Sequence, residues 1–274
     1  MSTIVLTRSV TPSITAEKIL SIAARLWFVV AMAGQWMFAC YIAALYGGSA
    51  LRGDWTAWHK RIAHGHGPAT LGNTAMAVHL FLAVIILIGG PLQLILQLRR
   101  HAPAFHRWNG RLYVLALFIA TITALYMVWF RGTAGDFPQH VGVSLDAALI
   151  MIFAVIALRY AIARDIAKHR RWALRLFIVV NGVWFFRVGL MLWLVINHGP
   201  AGFNPKTFTG PFLTFWSFGN YLLPLAILEL YLRTTDRSSS SARFAMAAGL
   251  IILTVAIGIG VLVATKVMWL PRLQ

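Results

Sequence analysis

The sequence predicts an all-α integral membrane protein of seven transmembrane helices, with spans two to five as a core four-helix bundle. Three observations carry that prediction. The 274 residues are 59% hydrophobic and only 11% charged, against roughly 45–50% apolar and 25% charged in soluble domains. Mean hydropathy is +0.75. Seven apolar runs, each long enough to cross a hydrocarbon layer of about 30 Å, are separated by short basic turns.

Residues 1–18, with Arg8, Pro12, Glu17 and Lys18, read as a polar tail. Residues 19–270 form a single polytopic membrane domain with its core at 74–197, and 271–274 are a short tail on the other face. Span one covers 19–46 and stops at Gly47-Gly48; it is too long for the apolar stretch of a cleaved signal peptide, so a retained helix is expected. The loop 47–73 carries His59, His64 and His66 beside Asp54, Trp55 and Trp58. Clustered imidazoles can bind metal, but the tryptophans fit an interfacial belt and favour a surface loop.

Span two, 74–98, contains Gly89-Gly90-Pro91, where proline removes a backbone donor and crowds the Leu87 carbonyl, predicting a kink. Span three covers 111–130. Asp136 and Pro138 read as the N-cap and first-turn proline of span four, 138–163. Spans five, six and seven cover 173–197, 211–232 and 243–270, and Ser238–Ser241 links the last two. Of 24 Lys and Arg, 16 fall at the ends shared with the amino terminus and 7 at the others, with Arg187 inside a span. The imbalance predicts insertion in the cytoplasmic (inner) membrane, amino terminus in the cytoplasm and carboxyl terminus outside.

A net charge of +17 in a soluble chain would suggest nucleic acid; here the cations sit in short turns, with no basic stripe interleaved with aromatics, so nucleic acid is not an expected partner and membrane lipid is. The single Cys40 forms no disulfide within the chain. GxSxG, HExxH and P-loop patterns are absent, and seven scattered carboxylates offer no acid–base pair, which argues against hydrolysis.

The chemistry lies in a repeat. His79 opens one apolar span and His106 sits in the basic turn after it, 27 residues on; His140 and His169 repeat the plan at 29 residues. With span two starting at 74, His79 and His140 both fall about 6–8 Å inside the outer boundary, with His106 and His169 at the inner face. Two neutral imidazoles facing each other from different helices at one depth hold a b-type haem. The outer pair, His79 and His140, is the favoured site, because His106 and His169 lie in arginine-dense turns. Intramembrane charges need partners, so Asp146 in span four is expected to pair with Arg187 in span five, and Glu229 with Arg233 or Arg243. Asn181 needs a hydrogen-bond partner, and Gly89, Gly90, Gly182 and Gly189 permit close helix approach.

Over 74–197 the placement of the four histidines resembles the two-haem transmembrane cytochromes, in which a four-helix bundle carries one haem near each face. The residues His79, Gly90, Pro91, Gln93, His106, Arg107, Gly110, Arg111, Tyr113, His169, Arg170, Trp172, Arg175 and Arg187 resemble a large family of predicted bacterial membrane proteins of unknown function. An extra Arg171 precedes the tryptophan, and spans six and seven show no matching motif. The first resemblance implies haem b as cofactor, a transmembrane electron carrier, a quinone or redox-protein partner and, if an enzyme, a membrane oxidoreductase component. The alternatives are a transporter or binding protein for a small or anionic solute using Arg187, Asp146 and Asn181, or a structural membrane protein without ligand.

Overall fold

The computed structural model describes residues 14–53 and 71–273; the expected histidine loop at 59–66 lies outside them. In lipid every backbone N–H and C=O must be satisfied within the segment, so apolar runs of this length become helices. Helix α1 (Ile14–Ile42) continues through a π-helical turn, Ala43–Gly47, to Leu51. Then follow α2 (Leu71–Leu94), a short α3 (Leu96–His101), α4 (Pro103–Tyr126, extended by a π turn to Gly132) and α5 (Phe137–Ile162). The fifth span is two helices, α6 (Ile166–Val180) and α7 (Gly182–Ile196), bent by 52° at Asn181. Helices α8 (Pro211–Arg237) and α9 (Ser240–Val263, extended to Arg272) complete the chain. Six helices are long and apolar enough to cross a membrane, and the bent pair makes a seventh span.

The helix starts are chemically marked. Asp136 accepts from the Gln139 N–H at 3.2 Å, with Pro138 in the first turn, as the sequence predicts. Asp165 accepts from the Lys168 N–H at 3.1 Å, and Ser239 caps α9 through the Ala242 N–H. Pro103 and Pro211 occupy the first turns of α4 and α8, where a missing N–H costs nothing. Neither Gly89-Gly90-Pro91, where the sequence predicts a kink, nor Pro224 of α8 interrupts its helix. Both prolines lie inside continuous helices, and the interruptions fall at Ile95, which is extended (φ −76°, ψ 109°), and at Asn181.

Spans two to five pack around one apolar cluster: Leu82 and Ile86 of α2, Tyr113, Ala116, Leu117 and Ala120 of α4, Ala154 of α5, and Leu176 and Val179 of α6. A second cluster joins α1, α7, α8 and α9 through Phe38, Tyr41, Trp184, Phe185, Val188, Leu213, Val261 and Trp269. Helix α1 lies along α9, and α8 covers α5, α6 and α7. The broken span thus links the clusters: its first half feeds both, with Leu176 and Val179 in one and Phe177 and Ile178 in the other, and its second half lies in the latter. Ion pairs fasten the basic face. Arg175 grips Glu229 with two bonds of 2.6 and 2.9 Å, Arg171 pairs with Asp236, and Arg243 reaches Glu17 at 2.8 Å. Glu229 is therefore neutralised by Arg175 and not by Arg233 or Arg243: residue 175 lies directly across the α6–α8 contact.

Candidate functional site

Two of the four histidines occupy equivalent positions on one face of the bundle. His106 donates its backbone N–H to Ala102 O at 3.0 Å, and His169 donates its own to Asp165 O at 2.9 Å. Each closes the first turn of its helix onto the N-cap, so both imidazoles leave α4 and α6 at the same depth, about 4.5 Å past the helix start. They lie within electrostatic range of each other, with Arg99 and Arg107 also near His106. His169 Nδ1 is 2.9 Å from Ala157 O on α5. A carbonyl only accepts, so that bond fixes the proton on Nδ1 and leaves the Nε2 lone pair free. His106 Nδ1 is buried with no hydrogen-bond partner. Trp172 stands edge-on to Phe153, ring centres 5.2 Å apart, one turn above His169.

Asp165 supports this end of the site. The Lys168 backbone N–H and ammonium both bond its carboxylate, holding it below the usual carboxylate range and the first turn of α6 in register.

The motif on α2 interlocks with the start of α4. Asn109 donates to Gly89 O at 3.0 Å, and Gln93 donates to His106 O at 3.2 Å. The Tyr113 ring lies where a Cβ on Gly90 would be 3.1 Å away, and Gln93 Oε1 sits 3.3 Å from the Cβ position of Gly110. Small residues let the backbones approach, and amides bridge them, as apolar helix pairs in lipid require. These residues anchor the helix that carries His106.

The other sequence-predicted residues are placed differently. His79 lies eight residues, about 12 Å, along α2 from Leu71, and His140 only three residues, about 4.5 Å, from Phe137. His79 Nδ1 donates to Ala120 O at 2.9 Å, with Thr123 at 3.4 Å, whereas His140 packs edge-on to Trp129 and sits 3.5 Å from the Thr133 hydroxyl. Their contacts along α4 and its π turn, Ala120 and Thr123 for His79 and Trp129 for His140, are six to nine residues apart, so the expected match in depth of the outer pair is corrected: α2 begins by Leu71, which sinks His79 deeper than a start at 74 implied. The outward-facing groove between α4 and α5, lined by Tyr126, Trp129, Phe130 and Met151, contains none of the four histidines.

Asp146 and Arg187 do not pair. Asp146 Oδ1 is buried without a partner, and Oδ2 lies beside the Cβ position of Gly182 at the bend. The 52° bend carries Arg187 toward α1, where its guanidinium lies 5.0 Å over the Phe38 ring and donates to Val183 O at 3.0 Å. Asn181 satisfies itself by donating to Phe177 O at 2.7 Å. Sequence reasoning passed over Gln35, Trp184 and Trp269, which are fully buried with unpartnered polar atoms. The available signal was Gln35, the lone amide in span one.

A bundle of seven spans with motif-bearing helices two to five defines a polytopic helical membrane protein. The chain belongs to the family described as predicted membrane protein (DUF2306), whose model matches residues 76–215, the stretch from the histidine of α2 to the start of α8. No curated protein and no solved structure matches the chain.

Proposed function

We propose that the protein is a b-type haem-binding electron carrier of the cytoplasmic membrane, with His106 and His169 as the axial pair. The observation that carries the reading is the equivalent placement of the two imidazoles, one with its Nδ1 proton tied to a carbonyl and the other with a buried, unpartnered ring nitrogen. Ligating histidines characteristically donate their second nitrogen in this way. The donor set therefore fits haem iron. A bound haem supplies a one-electron couple. His169 holds its ring orientation through Ala157, Arg99 and Arg107 supply positive charge for propionates, and Phe153 and Trp172 exclude water on the core side. A quinone or a redox protein is the implied partner. The basic face is assigned to the cytoplasm on the charge imbalance, and the protein serves as a component of a membrane oxidoreductase.

The test is the absorption spectrum of protein purified after expression with added haem precursor. A Soret band is expected that is lost in His106→Ala and His169→Ala and retained in His140→Ala. A colourless, folded wild-type preparation, or a band indifferent to His106 and His169, overturns the proposal.

A further inference from the structure

A separate set of unsatisfied polar groups lies between α1, α7 and α9, in the half of the bundle away from His106 and His169. Gln35 is 0% exposed, and neither its amide oxygen nor its nitrogen has a partner. One turn further along α1, Phe38 carries the Arg187 guanidinium on one side and stacks with Trp269 at 5.3 Å. Trp184, one turn before Arg187 on α7, is buried against Gly34, where an added Cβ would meet its ring at 2.8 Å. The indole N–H groups of Trp184 and Trp269 are both buried and unpartnered. Among the described residues Arg187 makes one side-chain hydrogen bond, to Val183 O, and takes part in none of the four ion pairs.

The unmet groups are mostly donors, and one is a full positive charge. Each unsatisfied buried polar group carries a desolvation cost, and a lone charge a larger one. Water can satisfy an amide or an indole, but it does not neutralise a guanidinium. Arg187 is only half-buried, so its free N–H groups remain reachable. We propose that this cluster binds a small anionic group, a carboxylate or phosphate, with Arg187 as the charge partner and Gln35 and the two indoles as neighbouring polar contacts. The anion is either free in solution or the headgroup of a membrane lipid.

The experiment measures the thermal unfolding midpoint of the full-length protein in neutral detergent at constant ionic strength, titrating inorganic phosphate or phosphatidylglycerol, with chloride and phosphatidylcholine as references. A saturable rise in Tm is expected. A response to phosphate identifies a free anion, and a response to phosphatidylglycerol alone identifies a lipid headgroup. Arg187→Gln is expected to raise the half-saturating concentration at least tenfold, and without ligand to unfold no earlier than wild type, because it removes an uncompensated charge. Gln35→Leu, which leaves the charge intact, is expected to weaken binding at least threefold. No response to either probe, or an unchanged response in Arg187→Gln, overturns the proposal; if that variant does not fold, an unchanged response in Gln35→Leu does so.

Discussion

Arg175 and Glu229 join α6 to α8 through two parallel bonds of 2.6 and 2.9 Å, and their side chains retain 17% and 33% of their exposure. Two unit charges about 4 Å apart attract by about 4 kcal/mol at an effective dielectric constant of about 20. Partial desolvation of both ions offsets much of this, leaving a coupling of about 1.5–3 kcal/mol, the range of hydrogen bonds to charged groups. Arg175 also lies 4.8 Å over the Trp172 ring, worth about 0.5–1 kcal/mol, so a single substitution overstates the pair. A double-mutant cycle on Arg175→Met and Glu229→Gln removes that contribution. Unfolding of the four proteins by SDS in mixed micelles is expected to give strongly non-additive losses. The Arg171–Asp236 pair, with side chains 39% and 47% exposed, is the control, with an expected coupling below about 1 kcal/mol. A coupling at Arg175–Glu229 below about 0.5 kcal/mol, or no larger than the control, refutes the assignment of this pair as the fastening of α8 to α6 on the basic face.

Asp165→Ala is expected to lower the unfolding midpoint at neutral pH. Because the folded carboxyl titrates below its unfolded value, its stabilisation is present above the unfolded range and lost as pH falls through the folded pKa, so thermal melts of wild type and variant should converge in acid. Asp146→Asn is expected to leave stability unchanged or raise it by about 1 kcal/mol, since the carboxylate has no cation to lose; a loss above about 2 kcal/mol in chemical unfolding would reveal a partner. Gly189→Ala drives a Cβ into the Trp216 ring, whose indole donates to Phe186 O at 3.0 Å, and is expected to cost about 1–3 kcal/mol. Gly249→Ala and Gly258→Ala, with open space around them, should be neutral or stabilising by about 0.4–1 kcal/mol in the same melts.

The spans were legible because lipid makes length and apolarity nearly sufficient for a helix, and the cap at Asp136 because its carboxylate acts within three residues. Rotation about the helix axis was not legible. Whether Arg187 meets Asp146 or Phe38 depends on a bend that the Asn181-Gly182 dipeptide could signal as a turn, though not in angle. The depth of His79 was misjudged for a related reason: a few residues at the start of α2 move a side chain by about 1.5 Å each. His106 and His169 were also misplaced: the sequence sets them in turns before spans starting at 111 and 173, whereas the helices begin at Pro103 and Ile166 and hold both histidines in their first turns.

The motif residues sort by what folding already uses. Gly90, Gln93, Gly110 and Tyr113 seat α4 on α2, and Arg175 seats α8 on α6. Proline 91 removes a donor from a helix that nevertheless continues to Leu94, next to the amide of Gln93 that bonds across to α4. What these contacts do not consume is the ring chemistry of His106, the Nε2 lone pair of His169 and most of the Arg187 donors. A membrane interior penalises polar groups left without partners, so side chains whose polar atoms stay idle in the folded chain are better explained by something that binds them than by packing. The two proposed sites rest on this physical ground, but they fail separately: one on a spectrum that depends on His106 and His169, the other on an anion response that depends on Arg187.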